Sequence, residues 1–287
     1  MTDKSRKPPV RVDRPTPSPR ARFQDPWVPF PTGMEALKRM AKLIARPDEG
    51  RPMNLALIGD SGFGKSHLLD HFADCYPDMT DEMPPRIQVL LISVVSNSDR
   101  NMLLRELLTG MGASFSLRDP YDEMLRSFCI KADTAGIGLV ILDEFHNGIS
   151  GGRRERTLGM IKAVRDISNR LRRPIVAGGN EKVKELLRYD PQLMERFAVE
   201  ELPLWKDREA VKRFLATFER TLEMPESSHL GTDDMAGLVM KLAGDRMGSI
   251  AELVREAHRV AVAKGASKIE GEHIRAAHPL VKRGWAA

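Results

Sequence analysis

Gly59-Asp60-Ser61-Gly62-Phe63-Gly64-Lys65-Ser66 decides the fold. Asn54-Leu55-Ala56-Leu57-Ile58 comes just before it, a short apolar run of strand length that ends in glycine. A helix is expected from near Lys65 to about Ala73. The octet is therefore a glycine-rich turn between a buried strand and a helix. In that setting glycines let the backbone curl until its N–H groups face phosphate oxygens, and the helix start adds partial positive charge. Lys65 is expected on the β- and γ-phosphates of a nucleotide, with the Ser66 hydroxyl on Mg²⁺. The nucleotide-binding set read here is Gly59, Asp60, Ser61, Gly62, Phe63, Gly64, Lys65, Ser66 and His67, together with Asp143 further on.

Working outward, apolar runs alternate with helical patterns. Strands are expected at 87–95, 138–142 and 174–177, and helices at 33–45, 99–111, 119–135 and 155–171. Strands separated by helices imply a parallel sheet covered on both faces. From Asp207 the pattern becomes wholly helical, at 207–222, 233–243, 249–264 and 270–277. The expected division is a basic, proline-rich arm at 1–30, an α/β core at 31–203 and a small all-helical domain at 204–287.

The third strand ends in Leu142-Asp143-Glu144. An acidic pair at the carboxyl end of a parallel strand lies at the edge where ligands bind such sheets. Asp143 is expected in the Mg²⁺ shell. Glu144 is expected to polarise the attacking water, which separates a hydrolase from a simple nucleotide binder. Asn180, after the fourth strand, could reach the γ-phosphate or could cap the helix that follows. Arg196, from its spacing alone, reads as a surface arginine. His67 and His71 share a helix face but lack the glutamate of a zinc protease motif, so no metal site is read there. His146 reads as an ordinary polar residue or one that senses nucleotide.

Composition narrows the classes further. At 30% charged and 41% hydrophobic the chain reads as soluble and globular, and no apolar run approaches the length of a membrane span. The basic N-terminus has no apolar stretch behind it, so it does not read as a secretory signal. Two cysteines, Cys75 and Cys129, lie far apart, which leaves no disulfide scaffold or zinc ribbon and makes the cytoplasm the expected compartment. The net charge of +5 lies in residues 1–22, where seven basic residues face two acidic ones. Eight of the 19 prolines fall between Pro8 and Pro31, so the arm is expected to be extended, either a solubilising tail or a nucleic-acid or partner-binding segment.

Taken in order, GDSGFGKS (59–66), LDEFHNGISGGRRER (142–156), RRPIVAGGNEKV (172–183), DPQLMERF (190–197) and LPLWKDREAVKRFLATFERTL (202–222) resemble the AAA+ ATPases. More narrowly, over roughly 25–230, the chain resembles the TniB-type transposition ATPases, relatives of the TnsC, MuB and IstB helpers. The resemblance implies an α/β AAA+ core followed by a helical lid, with ATP and Mg²⁺ as cofactors. It makes Arg196 an arginine finger acting in trans and Asn180 a sensor, although Gly179 stands where many relatives carry a hydroxyl residue. Arg246 in the lid is a poor sensor candidate. The implied partners are duplex DNA without sequence preference, a transposase, and further copies of the chain in a ring or helical filament. Candidate DNA contacts are Arg100, Arg105, Arg118, Arg153, Arg154 and Arg156. A helicase loader or replication-initiation helper would share the same ATP site. A small-molecule phosphotransferase would need a lid arginine cluster that the tail lacks, and an ATP-binding scaffold would not need Glu144.

Overall fold

The buried runs of the sequence become strands. The computed structural model describes residues 27–45, 52–76, 87–148, 154–202 and 204–285. They form two compact units, neither continuous in sequence: Arg39–Ile58 with Leu69–Glu200, and Gln24–Lys38 with Gly59–Leu68 and Glu201–Ala287. The division expected from sequence was linear. In the structure the glycine-rich loop groups with the C-terminal helices. Residues 1–26 of the basic arm lie outside the described residues. Val28 and Phe30, which the sequence reading assigned to that arm, are buried.

The first unit holds a five-stranded sheet of β1 (Asn54–Ile58), β2 (Val89–Ser93), β3 (Leu139–Asp143), β4 (Ile175–Gly179) and β5 (Phe197–Glu201), in the order β2-β3-β4-β1-β5. β2 with β3, β3 with β4, and β4 with β1 pair in parallel. Every residue of β1, β3 and β4 is buried, as strands covered on both faces must be. The outer strands β2 and β5 are only partly buried. The register sets Ser93 opposite Asp143 and Ile58 opposite Gly179, so the carboxyl ends of four strands share one edge. Buried Asn54 ties β1 to β4, its Oδ1 accepting from the Ile175 N–H at 2.9 Å.

Helices α3 (Arg100–Gly110), α4 (Tyr121–Ala135) and α5 (Arg154–Leu171) pack with this sheet. Leu103, Leu104 and Leu107 of α3 meet Met124, Leu125 and Phe128 of α4 and Met160, Ile161 and Val164 of α5 in one continuous core. Asp99 starts α3, its Oδ1 accepting from the Asn101 and Met102 N–H groups at 2.9 Å. Gly136, at φ +71°, ends α4 in the left-handed conformation that glycine adopts without cost.

The second unit is built on α8 (Arg208–Glu219), α9 (Asp233–Ala243), α10 (Met247–Ala263) and α11 (Gly271–Trp285). α11 runs on through Pro279 to Trp285, beyond the 270–277 expected from sequence. An aromatic series crosses this unit. Trp27 stands 6.1 Å from Phe30, Phe30 5.4 Å from Trp205, and Trp205 4.9 Å from Phe214, the last two contacts edge-on. Phe30 also lies where a side chain at Gly33 would stand: a Cβ there would come within 2.6 Å of the ring.

Candidate functional site

In the second unit, the glycine-rich loop is bent by Gly62 at φ +82° and Gly64 at φ +79°. A Cβ on Gly64 would meet the tip of the Met247 side chain, which packs over the loop at that point. Phe63 is buried, while Asp60, Ser61 and Gly62 are exposed, and Ser66 and His67 are half-buried. The loop opens α2 (Lys65–Asp74), whose first N–H groups have no acceptor within the helix. Lys65 is buried at 6% exposure, and its Nζ donates to the Gly59 carbonyl at 2.6 Å and the Asp60 carbonyl at 2.9 Å. The ammonium is thus held at the mouth of the loop. The start of α10 closes on the same loop. The Gly248 N–H donates to the Gly62 carbonyl at 2.7 Å, and Arg246 lies 3.8 Å from where a Gly62 Cβ would sit. The loop and helix start form a ready anion site.

In the first unit, Asp143 ends β3 at 7% exposure, and its Oδ1 accepts from the Glu144 N–H at 2.8 Å. Glu144 stands at φ +52°, a conformation that costs a non-glycine residue about 1–3 kcal/mol. Its Oε2 lies 3.4 Å from Nε2 of His146, and its side chain is 38% exposed against 19% for His146. His146 sits on a 3-10 turn, Phe145–Gly148, fixed by the fully buried Phe145 and by Asn147, whose Nδ2 donates to the Val94 carbonyl at 2.9 Å. On the adjoining strand, a Cβ at Gly178 would come within 3.0 Å of Asp143 Oδ1, and one at Gly179 within 2.9 Å of His146 Nδ1. The Gly178-Gly179 pair therefore clears room for the acidic pair and its histidine. Glycine weakens a buried strand and is found where another group approaches closely.

Asn180 takes up the capping geometry: its Oδ1 accepts from the Lys182 N–H at 3.0 Å, and its carbonyl from the Val183 N–H at 2.9 Å, at the start of α6 (Lys182–Arg188). Arg196 follows α7 (Pro191–Met194) and leads into β5. Its Nη1 donates to Asn169 Oδ1 on α5 at 2.7 Å, and its carbonyl accepts from the Asn54 N–H. Nothing in the sequence had marked Asn169.

The candidate DNA contacts fall into two groups around α3. Arg100 lies over the Tyr121 ring, 4.9 Å from its centre, and against Gly159 of α5, the helix that also carries Arg156 and the exposed Arg154. Arg105 donates to the Leu117 carbonyl at 2.9 Å, beside the exposed Arg118. Arg153 lies outside the described residues. No helix among the described residues is long and apolar enough to cross a membrane. Nor, among them, do three or more His, Cys, Asp or Glu side chains gather to hold a metal ion.

The sequence model of the bacterial TniB protein matches residues 20–207, well over half of the chain. The chain belongs to the TniB family. Among curated proteins, none is significantly similar to it. Many solved structures resemble this TniB protein, among them the following three. The Aeropyrum pernix Orc1 protein, in complex with DNA, is 18% identical at a TM-score of 0.63, over 90% of this chain and 67% of that one. The Aeropyrum pernix ORC2 protein, in ADPNP–ADP complexes, is 17% identical at 0.66, over 91% and 71%. The Thermotoga maritima RuvB Holliday junction branch migration motor is 14% identical at 0.50, over 86% and 68%. At these identities the likeness is one of fold, and the fold is that of the AAA+ ATPases.

Proposed function

We propose that this TniB protein binds ATP with Mg²⁺, hydrolyses it, and assembles on duplex DNA as a homo-oligomer that recruits or activates a transposase. The observation that carries the reading is the family match over residues 20–207, a span that holds the glycine-rich loop, the acidic pair and Arg196. In this reading the N–H groups of the loop and the Lys65 ammonium hold the phosphates. The Ser66 hydroxyl and the Asp143 carboxylate are hard oxygen donors of the kind Mg²⁺ takes, and Gly178 leaves Asp143 Oδ1 uncrowded. The bound cation supplies charge neutralisation on the transferring phosphoryl group. Glu144 orients the attacking water and takes its proton, Asn180 serves as a sensor beside its capping role, and Arg196 reaches the nucleotide of a neighbouring subunit.

DNA contact rests on Arg100, Arg105, Arg118, Arg153, Arg154 and Arg156 acting together across subunits. Arginines on backbone phosphates carry no sequence preference, and an oligomer multiplies a few contacts into a strong site. The DNA-bound Orc1 relative supports the same reading. A helicase loader or replication-initiation helper, which would share the same ATP site, is the second reading. The test is ATP turnover with and without duplex DNA, together with DNA affinity across a salt series. Turnover should rise with DNA of any sequence, and log affinity should fall against log salt by about 0.9 for each phosphate neutralised. A flat salt response or one preferred sequence would refute backbone reading. Capture of a transposase rather than a helicase separates the two roles.

A further inference from the structure

We infer that His146 is a positioning residue that aims the Glu144 carboxylate, and that Gly179 is the seat that lets it do so. The inference rests on Glu144 acting as the base. Nε2 of His146 faces Glu144 Oε2 at 3.4 Å, the contact across which a protonated Nε2 would donate in the reactive complex, leaving Oε1 of the carboxylate for the water. Catalytic hydrogen bonds tighten in the reactive complex, and a base held by a third group is the arrangement that nucleophile activation uses repeatedly.

An exposed ion pair formed by chance would have little value and no fixed geometry. Here the backbone at both ends is held. Glu144 is held at φ +52° by the bond from its N–H to Asp143 Oδ1. The histidine is pinned between the buried Phe145 and the anchored Asn147, whose N–H also donates to the Glu144 carbonyl at 2.8 Å. The far side of the ring is equally constrained. Nδ1 is buried without a hydrogen-bond partner, against the point where any side chain on Gly179 would begin. An unpaired buried nitrogen is unfavourable, and what the ring gains in this orientation is the contact of its other nitrogen with Glu144. That is the signature of an orientation selected for Nε2.

The experiment measures steady-state ATP turnover of the full chain, with nucleotide affinity and thermal unfolding alongside. The variants are His146→Ala, His146→Phe, His146→Gln and Glu144→Gln. Phenylalanine keeps the ring's packing without a donor, whereas the glutamine amide places an N–H where Nε2 stood. His146→Ala and His146→Phe should each lower kcat by about tenfold or more, the scale seen when the partner that orients a functional group is lost, with ATP affinity and KM unchanged. His146→Gln should restore turnover to within about threefold of wild type. The inference is overturned if the phenylalanine variant turns over at the wild-type rate, or if glutamine is as slow as phenylalanine. It is also overturned if either donorless variant is faster, since His146 would then restrain Glu144. Wild-type turnover in Glu144→Gln would remove the base and the inference together. A slow Glu144→Gln beside a wild-type His146→Ala removes the inference alone.

Discussion

Gly179→Ala adds one methyl group at the point where β4 meets the acidic pair. The new Cβ would stand 2.5 Å from Val183 Cγ2 and 2.9 Å from His146 Nδ1, both well inside contact distance. Overpacking of this kind in a filled core costs about 1–3 kcal/mol. Replacing glycine also narrows the unfolded ensemble, which returns about 0.4–1 kcal/mol where the native backbone suits alanine, as a strand does. The net expectation is a loss of about 1–2 kcal/mol, enough to measure by urea unfolding and too little to unfold a domain of ordinary stability. The functional effect should be larger than the structural one. Displacing the imidazole removes the donor facing Glu144, so kcat should fall by about tenfold while ATP affinity holds. A folded Gly179→Ala protein with wild-type turnover would refute the reasoning that β4 shapes the catalytic edge.

Two further outcomes test other parts of the molecule. Arg196→Ala should bind ATP yet hydrolyse it poorly, since fingers of this kind contribute on the order of 10³–10⁵ in rate. Lys65→Ala should lose ATP binding, and mixing the two inactive proteins should restore some hydrolysis; no rescue in a co-assembled mixture would return Arg196 to the surface. Burial pushes the Glu106 carboxyl on α3 up from 4.5 to about 7, so the folded state holds its proton more tightly than the unfolded chain does. Its contribution is therefore full below about pH 4.5 and is lost as pH rises through about 7. Glu106→Gln should flatten that part of the stability–pH curve; an unchanged slope would show that Glu106 does not cause it.

Much of this was legible in local pattern. β1, β3 and β4 are apolar runs flanked by glycine or acidic residues, and the octet between β1 and α2 has one sensible conformation. β5 gives no sequence signal because Phe197-Ala-Val-Glu-Glu201 is an edge strand in which only Phe197 is buried and two of the five residues are glutamates, so it carries no buried run. Val28 and Phe30 were absorbed into a proline-rich arm by composition, because the partner that buries Phe30, Trp205, lies far along the chain. The same limit hid the site's finer geometry. From sequence His146 reads as an ordinary polar residue or one that senses nucleotide, and the clearance at Gly178-Gly179 emerges only when the sheet register brings β4 beside β3. Asn180 was left between sensor and helix cap, and the cap is formed. Local sequence carries periodicity and turn chemistry, whereas side-chain clearances between neighbouring strands depend on register.

Electron microscopy of Glu144→Gln protein with ATP and long duplex DNA tests the central claim most directly. Without an effective base the ATP-bound state should persist, so ordered assemblies should coat the DNA. They should vanish when either ATP or DNA is left out, and should be shorter-lived with the wild-type protein. Bare DNA in the presence of ATP, or the same assemblies without nucleotide, would contradict an ATP-driven homo-oligomer on duplex DNA.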